Sequence, residues 1–253
     1  MSSERPPRRR AVVVGASAGV GRALAQALAE RGYDLMLVAS DQRDLDAIAA
    51  DLRLRFTGTV LTQALDLRHG GPARSTAFLS WERELGPVDA ALFPIGFVAK
   101  GDDELATTAL IESTVQVNML AVMELATAAA TAMKARGNGA IVGFTSIAAA
   151  VPRGRNMVYA AAKAGLETWL AALRHHLSDT QVRVQAYALG YVDTAMTHGL
   201  ELRFPAVPPG KVARRVVTRL QKDVGLVYFP SYWWLVTRVL RLMPWWIYRR
   251  LRF

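Results

Sequence analysis

Tyr159 and Lys163 stand four residues apart in an apolar-periodic stretch read as a helix over Met157–Leu177, so their side chains share one face. A phenol with a pKa near 10 is a poor proton donor or acceptor at neutral pH, but an ammonium beside it favours the ionised form and lowers that value. Such a pair does acid–base work on an oxygen that gains or loses charge. Ser146, earlier in the chain at the end of a β-type run, is placed to hydrogen-bond the same oxygen. Alone, Tyr-x-x-x-Lys is common surface sequence, and a second constellation gives it context. Gly15-Ala16-Ser17-Ala18-Gly19-Val20-Gly21 ends an apolar run and passes straight into a helix. A glycine-rich turn there lets backbone N–H groups approach a pyrophosphate, and the helix N-terminus adds favourable charge. Its glycines do not follow the G-x-G-x-x-G order of the commonest dinucleotide fingerprint, and by itself the segment is also an ordinary strand–helix turn.

Positioning these groups requires a scaffold, and the hydrophobic rhythm supplies one. Short, continuously apolar runs at Ala11–Val14, Leu35–Ala39, Val60–Ala64, Ala90–Phe93, Ala140–Phe144, Val182–Ala188 and Leu226–Phe229 predict strands buried on both faces. Between them Gly21–Arg31, Asp44–Phe56, Ala73–Leu85, Leu110–Arg136 and Met157–Leu177 read as helices, with Gly32, Gly86 and Gly137 just past helix ends. The expected fold class is α/β: a single-domain, Rossmann-type, doubly wound parallel sheet with helices on both faces. Residues 1–10 read as a basic disordered leader, 11–230 as the domain and 231–253 as an aromatic, basic tail. The rhythm stops between Tyr191 and Gly210, where Pro205, Pro208 and Pro209 mark a loop expected to act as a lid, followed by a helix at about Lys211–Lys222.

With 253 residues, 52% of them hydrophobic, the chain can bury a sizeable core. The absence of cysteine excludes disulfides, thiolate metal sites and a cysteine nucleophile, and fits a reducing compartment. His175 and His176 diverge on any helix, and His69 and His198 lie in loop-like sequence, so no metal site is expected. The net charge of +10 sits at the ends: +3 over residues 1–10 and +9 over 200–253, around a nearly neutral body. That distribution speaks for an anionic surface or ligand met by the tail and against a nucleic-acid partner. Arg8-Arg9-Arg10 runs directly into a short apolar strand with no signal-peptide core, so a cytoplasmic location is expected. The most apolar stretch, from Leu226 onward, is interrupted by Pro230, Arg238, Arg241 and Pro244 and is not read as a bilayer span.

On these residues the chain resembles the short-chain dehydrogenase/reductase family from about Val12 to Thr194. Gly15, Gly19 and Gly21 match the family's G-x-x-x-G-x-G turn. Asp66 in Leu65-Asp66-Leu67 matches the acid that holds the adenine, and Asn118 in Val117-Asn118-Met119 the Asn that supports a proton relay through water. Ser146, Tyr159 and Lys163 match the catalytic set, and Gly190 with Asp193-Thr194 matches a segment beside the nicotinamide. The resemblance implies hydride exchange between a carbonyl and an alcohol, with catalytic residues Asn118, Ser146, Tyr159 and Lys163. It implies a cofactor site made by Gly15, Ser17, Ala18, Gly19, Val20, Gly21, Ser40, Asp66, Leu67, Gly96, Tyr159, Lys163, Gly190, Val192 and Thr194. Lys163 is expected to hold the nicotinamide ribose.

Three positions depart from the family pattern. Phe93-Pro94-Ile95-Gly96 replaces N-N-A-G and puts the usual support of the central sheet in question; Leu189 replaces a proline before Gly190; and Ala39-Ser40-Asp41 closes the second strand without the acid that selects NAD or the Arg that selects NADP. Room at Ala39, with Ser40 and Arg43 as donors, favours NADP(H) over NAD(H). From Tyr228 to Phe253 aromatic residues alternate with five Arg. As a helix over Ser231–Met243 this segment gathers Ser231, Thr237, Arg238 and Arg241 on one side with Trp234, the other side being apolar. Such a helix fits a membrane interface on the cytoplasmic face; packing on the domain or on a second copy is the alternative, and a homo-oligomer is expected. The tail resembles that of family members acting on lipid or polyprenyl-phosphate-linked substrates. Two functions remain: a reductase of a hydrophobic or lipid-linked carbonyl compound, and an idle NADP-binding scaffold or sensor. Keeping Asn118, Ser146, Tyr159 and Lys163 together favours the enzyme.

Overall fold

A computed structural model describes residues 8–98, 102, 105–151, 154–199, 202 and 204–250. The first seven residues and Phe253, both part of the readings above, lie outside them. Arg8–Arg10, read as part of a disordered leader, are placed. Arg8 pairs with Asp34 at 3.7 Å and donates to Thr57, and Arg10 opens the first strand with its N–H on Asp89 Oδ2 at 2.8 Å.

Seven parallel strands, β1 (Arg10–Val14), β2 (Asp34–Ala39), β3 (Val60–Ala64), β4 (Ala90–Phe93), β5 (Asn138–Ser146), β6 (Gln181–Leu189) and β7 (Leu226–Phe229), form one sheet in the order β3-β2-β1-β4-β5-β6-β7. The expected α/β class and doubly wound sheet are observed. Full burial holds for the central strands β1, β2, β4 and β5, whereas the edge strands β3 and β7 are only partly covered. The strand order reverses direction between β1 and β4, and that crevice, outside the carboxyl ends of the strands, is where ligands bind in such sheets.

Helices α1 (Gly19–Ala29), α2 (Gln42–Arg55), α3 (Pro72–Leu85), α4 (Thr108–Val115), α5 (Ala121–Arg136), α6 (Ile147–Ala150), α7 (Met157–His176), α8 (Pro209–Val217), α9 (Tyr232–Leu242) and α10 (Trp245–Tyr248) complete the chain. α1, α2 and α8 bury their apolar stripes on one face of the sheet; α3, α5 and α7 do so on the other. The stretch read as one helix over Leu110–Arg136 is interrupted by a π turn at Gln116–Leu120. Taken together, Thr108–Arg136 is apolar and long enough to cross a membrane by composition, but its Val122, Leu125, Ala126, Ala129 and Met133 pack in the core. In the segment read as a lid, a parallel bridge joins Val192 to Val207, and α8 begins at Pro209.

Candidate active site

The glycine turn is shaped by contact distances. Gly15 and Gly19 have φ of +93° and +50°, and a Cβ on Gly21 would sit 1.9 Å from the Gly15 carbonyl oxygen. Only glycine lets α1 start this close to β1. Ala18 precedes α1 and has no side-chain oxygen to cap it, so the first-turn N–H groups face the crevice without an internal acceptor. This arrangement fits a pyrophosphate. Thr194 closes over it, its Cγ2 lying 2.9 Å from where a Cβ on Gly19 would be. Val192 is buried at the foot of the lid, its carbonyl taken by the Thr197 hydroxyl at 2.5 Å. Ser17 and Val20 are partly buried in the turn, and Gly96 is exposed across the crevice, where Met196 Cε would meet a Cβ at 3.1 Å.

Lys163 is fully buried on α7, beneath the ends of β4 and β5. Its Nζ donates to Ile95 O at 2.6 Å and Phe144 O at 3.0 Å. An ammonium has three hydrogens, so one remains for the crevice. Burial pushes its pKa down to about 7, because desolvation penalises the charged form. Nζ lies 5.8 Å from the centre of the Tyr159 ring, one turn away on the same face. Ser146 ends β5, and its Oγ accepts from Ala148 N at 3.2 Å, which fixes the hydroxyl and leaves its hydrogen for another acceptor.

Asn118 is buried in the π turn, and its amide is spent on the main chain. Oδ1 accepts from Phe97 N at 3.0 Å, while Nδ2 donates to Phe97 O at 2.7 Å and Thr114 O at 2.9 Å. With both amide hydrogens taken, the side chain positions the loop that holds Ile95. These bonds also answer the departure at Phe93-Pro94-Ile95-Gly96: β4 is buried throughout and paired on both sides, and Asn118 and Lys163 secure the loop that follows it.

Asp66 follows β3, but its carboxylate is engaged by Arg68, through Nη2 at 2.7 Å and the backbone N at 2.9 Å, an ion pair the sequence reading did not foresee. That hydrogen bonding holds its pKa down at about 2. Leu67 O accepts from Arg74 at 3.1 Å. Asp41 caps α2 by accepting from Asp44 N at 3.2 Å, so its carboxylate is turned to the helix; Ser40, just past β2, and Arg43, in the first turn of α2 and 3.8 Å from Asp44, are exposed.

One positioning residue went unnoticed in the sequence. Asn156 precedes α7 in the left-handed region and makes no side-chain cap; Asp102, 1% exposed, takes that place. Its two carboxylate oxygens accept from Val158 N at 2.9 Å and Tyr159 N at 3.0 Å. A buried acid aimed at a helix N-terminus is favoured by the open N–H groups and by the dipole. The signal was an acid-rich stretch, Asp102-Asp103-Glu104, in a segment with no periodicity of its own.

The tail does not divide as the 100° projection suggested. Thr237, read as part of the polar side, is turned inward with Trp233, at 2% and 4% exposure, whereas Leu235, Val239 and Leu242 of the apolar side face outward. The Thr237 hydroxyl is satisfied inside its own helix by Trp233 O at 2.8 Å, so burying it costs little.

Fold and site together describe a dinucleotide-dependent oxidoreductase, and the comparisons give its family. A family model described as short chain dehydrogenase matches residues 9–203, and the chain belongs to that family. It is an NAD(P)-dependent dehydrogenase/reductase. An uncharacterized oxidoreductase of Mycobacterium tuberculosis is 32% identical over 245 residues, covering 95% of this chain and 96% of that protein. The ketoacyl reductase HetN of Nostoc sp. is 30% identical over 216 residues, covering 83% of this chain and 74% of its own. A short-chain dehydrogenase from Sphingobium yanoikuyae, solved in complex with NADPH, superposes with a TM-score of 0.80 at 26% identity, covering 96% of both chains.

Lys163 makes stability depend on pH. Its folded pKa lies below the unfolded value, so between about 7 and 10.5 the unfolded chain binds the proton that the folded chain has released. Folding stability therefore gains from this group as pH rises through that window, by up to a few kcal/mol. Urea midpoints measured from pH 7 to 10 should show the rise in the wild type and a flatter profile in Lys163→Met. Parallel profiles for the two proteins would show that Lys163 keeps its ordinary pKa.

Proposed function

We propose that the chain reduces the carbonyl group of a bulky, apolar, acyl-type or lipid-linked substrate, with NADPH preferred over NADH and Tyr159 as the proton donor. The observation that carries this reading is the placement of Lys163. A buried amine held by Ile95 O beyond β4 and Phe144 O near the end of β5, one turn from Tyr159, supplies a donor and, when protonated, positive charge beside the phenol that serves the oxygen gaining electrons. NADPH supplies the hydride when bound. The first turn of α1 with Gly15, Ser17, Ala18, Gly19, Val20 and Gly21 holds the pyrophosphate, Ser40 and Arg43 the 2′-phosphate, and Asp66 with Leu67 flank the adenine. Gly96, Gly190, Val192 and Thr194 line the nicotinamide end. The chain's own part is electrostatic. Ser146 donates to the substrate oxygen, Tyr159 gives it a proton as charge develops, and the third hydrogen of Lys163 is available to the ribose. Ketoacyl reduction by HetN supports an acyl carbonyl as the substrate class.

The outward face of the tail supports a further part of this reading, contact with an anionic membrane surface. Leu242, Trp245 and Trp246 are exposed at 85%, 71% and 60%, Arg238 lies 4.5 Å over the Trp234 ring, and Arg249 and Arg250 are exposed at the end. Apolar rings flanked by Arg suit the headgroup layer.

Tyr159→Phe should cut turnover by more than tenfold, a loss of at least about 1.4 kcal/mol of transition-state stabilisation, while NADPH titration stays near wild type. Retention of more than a tenth of the rate would assign the acid elsewhere. For the cofactor, dissociation constants should favour NADPH modestly, and Ser40→Asp should reverse the order; a wild-type preference for NADH would overturn this choice. Vesicle pelleting tests the tail. The full chain should bind anionic vesicles, and neutral ones less, with added salt weakening the anionic case. Leu242→Ser with Trp245→Ser and Trp246→Ser, all on the exposed face, should abolish pelleting without loss of fold. A chain that ignores vesicles and instead dissociates from dimer to monomer on these substitutions would make the face a subunit contact.

A further inference from the structure

Trp233 is carried by the tail but sits in the catalytic end of the sheet. Its indole N–H is buried and has no hydrogen-bond partner in the structure. An indole nitrogen is a donor only, so it calls for an acceptor, and a buried donor left without one is destabilising. Its surroundings say where that acceptor must come from. Trp233 presses on Gly190, where a Cβ would lie 2.0 Å from Nε1, so glycine is required at 190 for the indole to be there at all. Gly190 follows Leu189, the residue paired with Ser146 across β5 and β6. The indole edge is therefore about one strand spacing, roughly 4.8 Å in a sheet, to the side of the strand that presents Ser146.

The remaining sides are closed by rings. Phe204 and Tyr191, both from the lid, meet the indole edge-on at centroid distances of 4.8 and 5.8 Å, and Tyr232 lies at 5.4 Å. The far end of the same helix is fixed to the segment after Ser146, where Arg241 Nε donates to Ala150 O at 2.7 Å. α9 thus spans the loops that follow β5 and β6, on the opposite side of Ser146 from the glycine turn after β1. The pyrophosphate of a dinucleotide, held at that turn, is not the natural acceptor for this N–H.

We propose that Trp233 is a substrate-binding residue whose indole N–H donates to the second oxygen of a 1,3-dicarbonyl substrate of the 3-oxoacyl type. The carbonyl to be reduced lies at Ser146 and Tyr159, the neighbouring acyl oxygen one strand over at Trp233, and the lid aromatics enclose the carbons between and beyond them. The proposal rests on the reading of the chain as a carbonyl reductase, and it makes the tail a part of the active site.

The test compares a 3-oxoacyl thioester with a monoketone of the same chain length that lacks the second oxygen. Trp233→Phe keeps a ring and removes the N–H. It should raise KM for the dicarbonyl about tenfold with little change in kcat, leave KM for the monoketone unchanged, and leave NADPH affinity unchanged. Equal increases for both ketones would make Trp233 a packing residue, and weaker NADPH binding would make the cofactor its acceptor; either overturns the proposal. Binding of the two ketones to the NADP⁺-loaded wild type gives a readout free of mutation and of turnover. The dicarbonyl should bind about tenfold more tightly, and equal or absent binding overturns the proposal. A wild type that binds the dicarbonyl tightly but reduces neither ketone would refute the reductase reading and leave Trp233 as a ligand contact.

Discussion

The site depends on keeping one ammonium group out of water. Lys163 belongs to a helix that packs flat on the sheet, and in that place a charged amine is costly unless its hydrogens find oxygen. Ile95 O, in the loop past β4, and Phe144 O, near the end of β5, supply two acceptors. Ile95 belongs to the loop after β4, which Asn118 pins through both the N–H and the carbonyl of Phe97. Asn118 sits in a π turn, and that local widening of a long helix is a common mark of a functional position. Asp102 fixes the start of α7 from outside. Two buried polar residues, Asn118 and Asp102, therefore position one amine and, one turn away, one phenol.

The cofactor side obeys a different constraint, steric and not electrostatic. Gly21 must be glycine because the Gly15 carbonyl occupies the space of its Cβ, and the uncapped first turn of α1 follows from Ala18. Where a Ser or Asp would satisfy the helix internally, Ala18 leaves those N–H groups to a ligand. Asp41 shows the opposite choice one strand over. It spends its carboxylate on capping α2, beside the exposed Ser40 and Arg43.

Much of this was legible in the residues, for physical reasons that differ by position. Central strands buried on both faces write themselves as uninterrupted apolar runs, and the two partly covered edge strands, β3 and β7, still stand out as short runs between helices, so all seven were placed to within a residue or two at most ends. Tyr159 and Lys163 were found by spacing, and Ser146 by its place at a strand end. Asp102 was not found, because a cap from a distant loop leaves no periodic trace. The π turn was missed because Gln116–Leu120 keeps the composition of an ordinary helix. Asp66 was recognised by pattern, but its partner Arg68, two residues away, needed the turn geometry to become an ion pair. The tail misled most: a 100° wheel sorts residues by polarity, and it assigned Thr237 to water. A hydroxyl that bonds back to its own helix carries little polarity to the outside, so the true inner face is centred on Trp233 and Thr237.

The docked side of α9 is narrow, made of Trp233, Thr237 and the guanidinium of Arg241, and it touches the segments after β5 and β6, while Leu235, Val239 and Leu242 stay on the outward, apolar side. Glu167, on the same face of α7 as Lys163, answers from beneath. Burial raises its pKa, while the Thr145 hydroxyl and the charge of Arg241 counteract that rise. The positive charge of the tail thus enters the electrostatics of the catalytic helix, and the wide apolar side stays outside with its rings. A helix seated this way cannot shift on its outer face without moving Trp233 against Gly190.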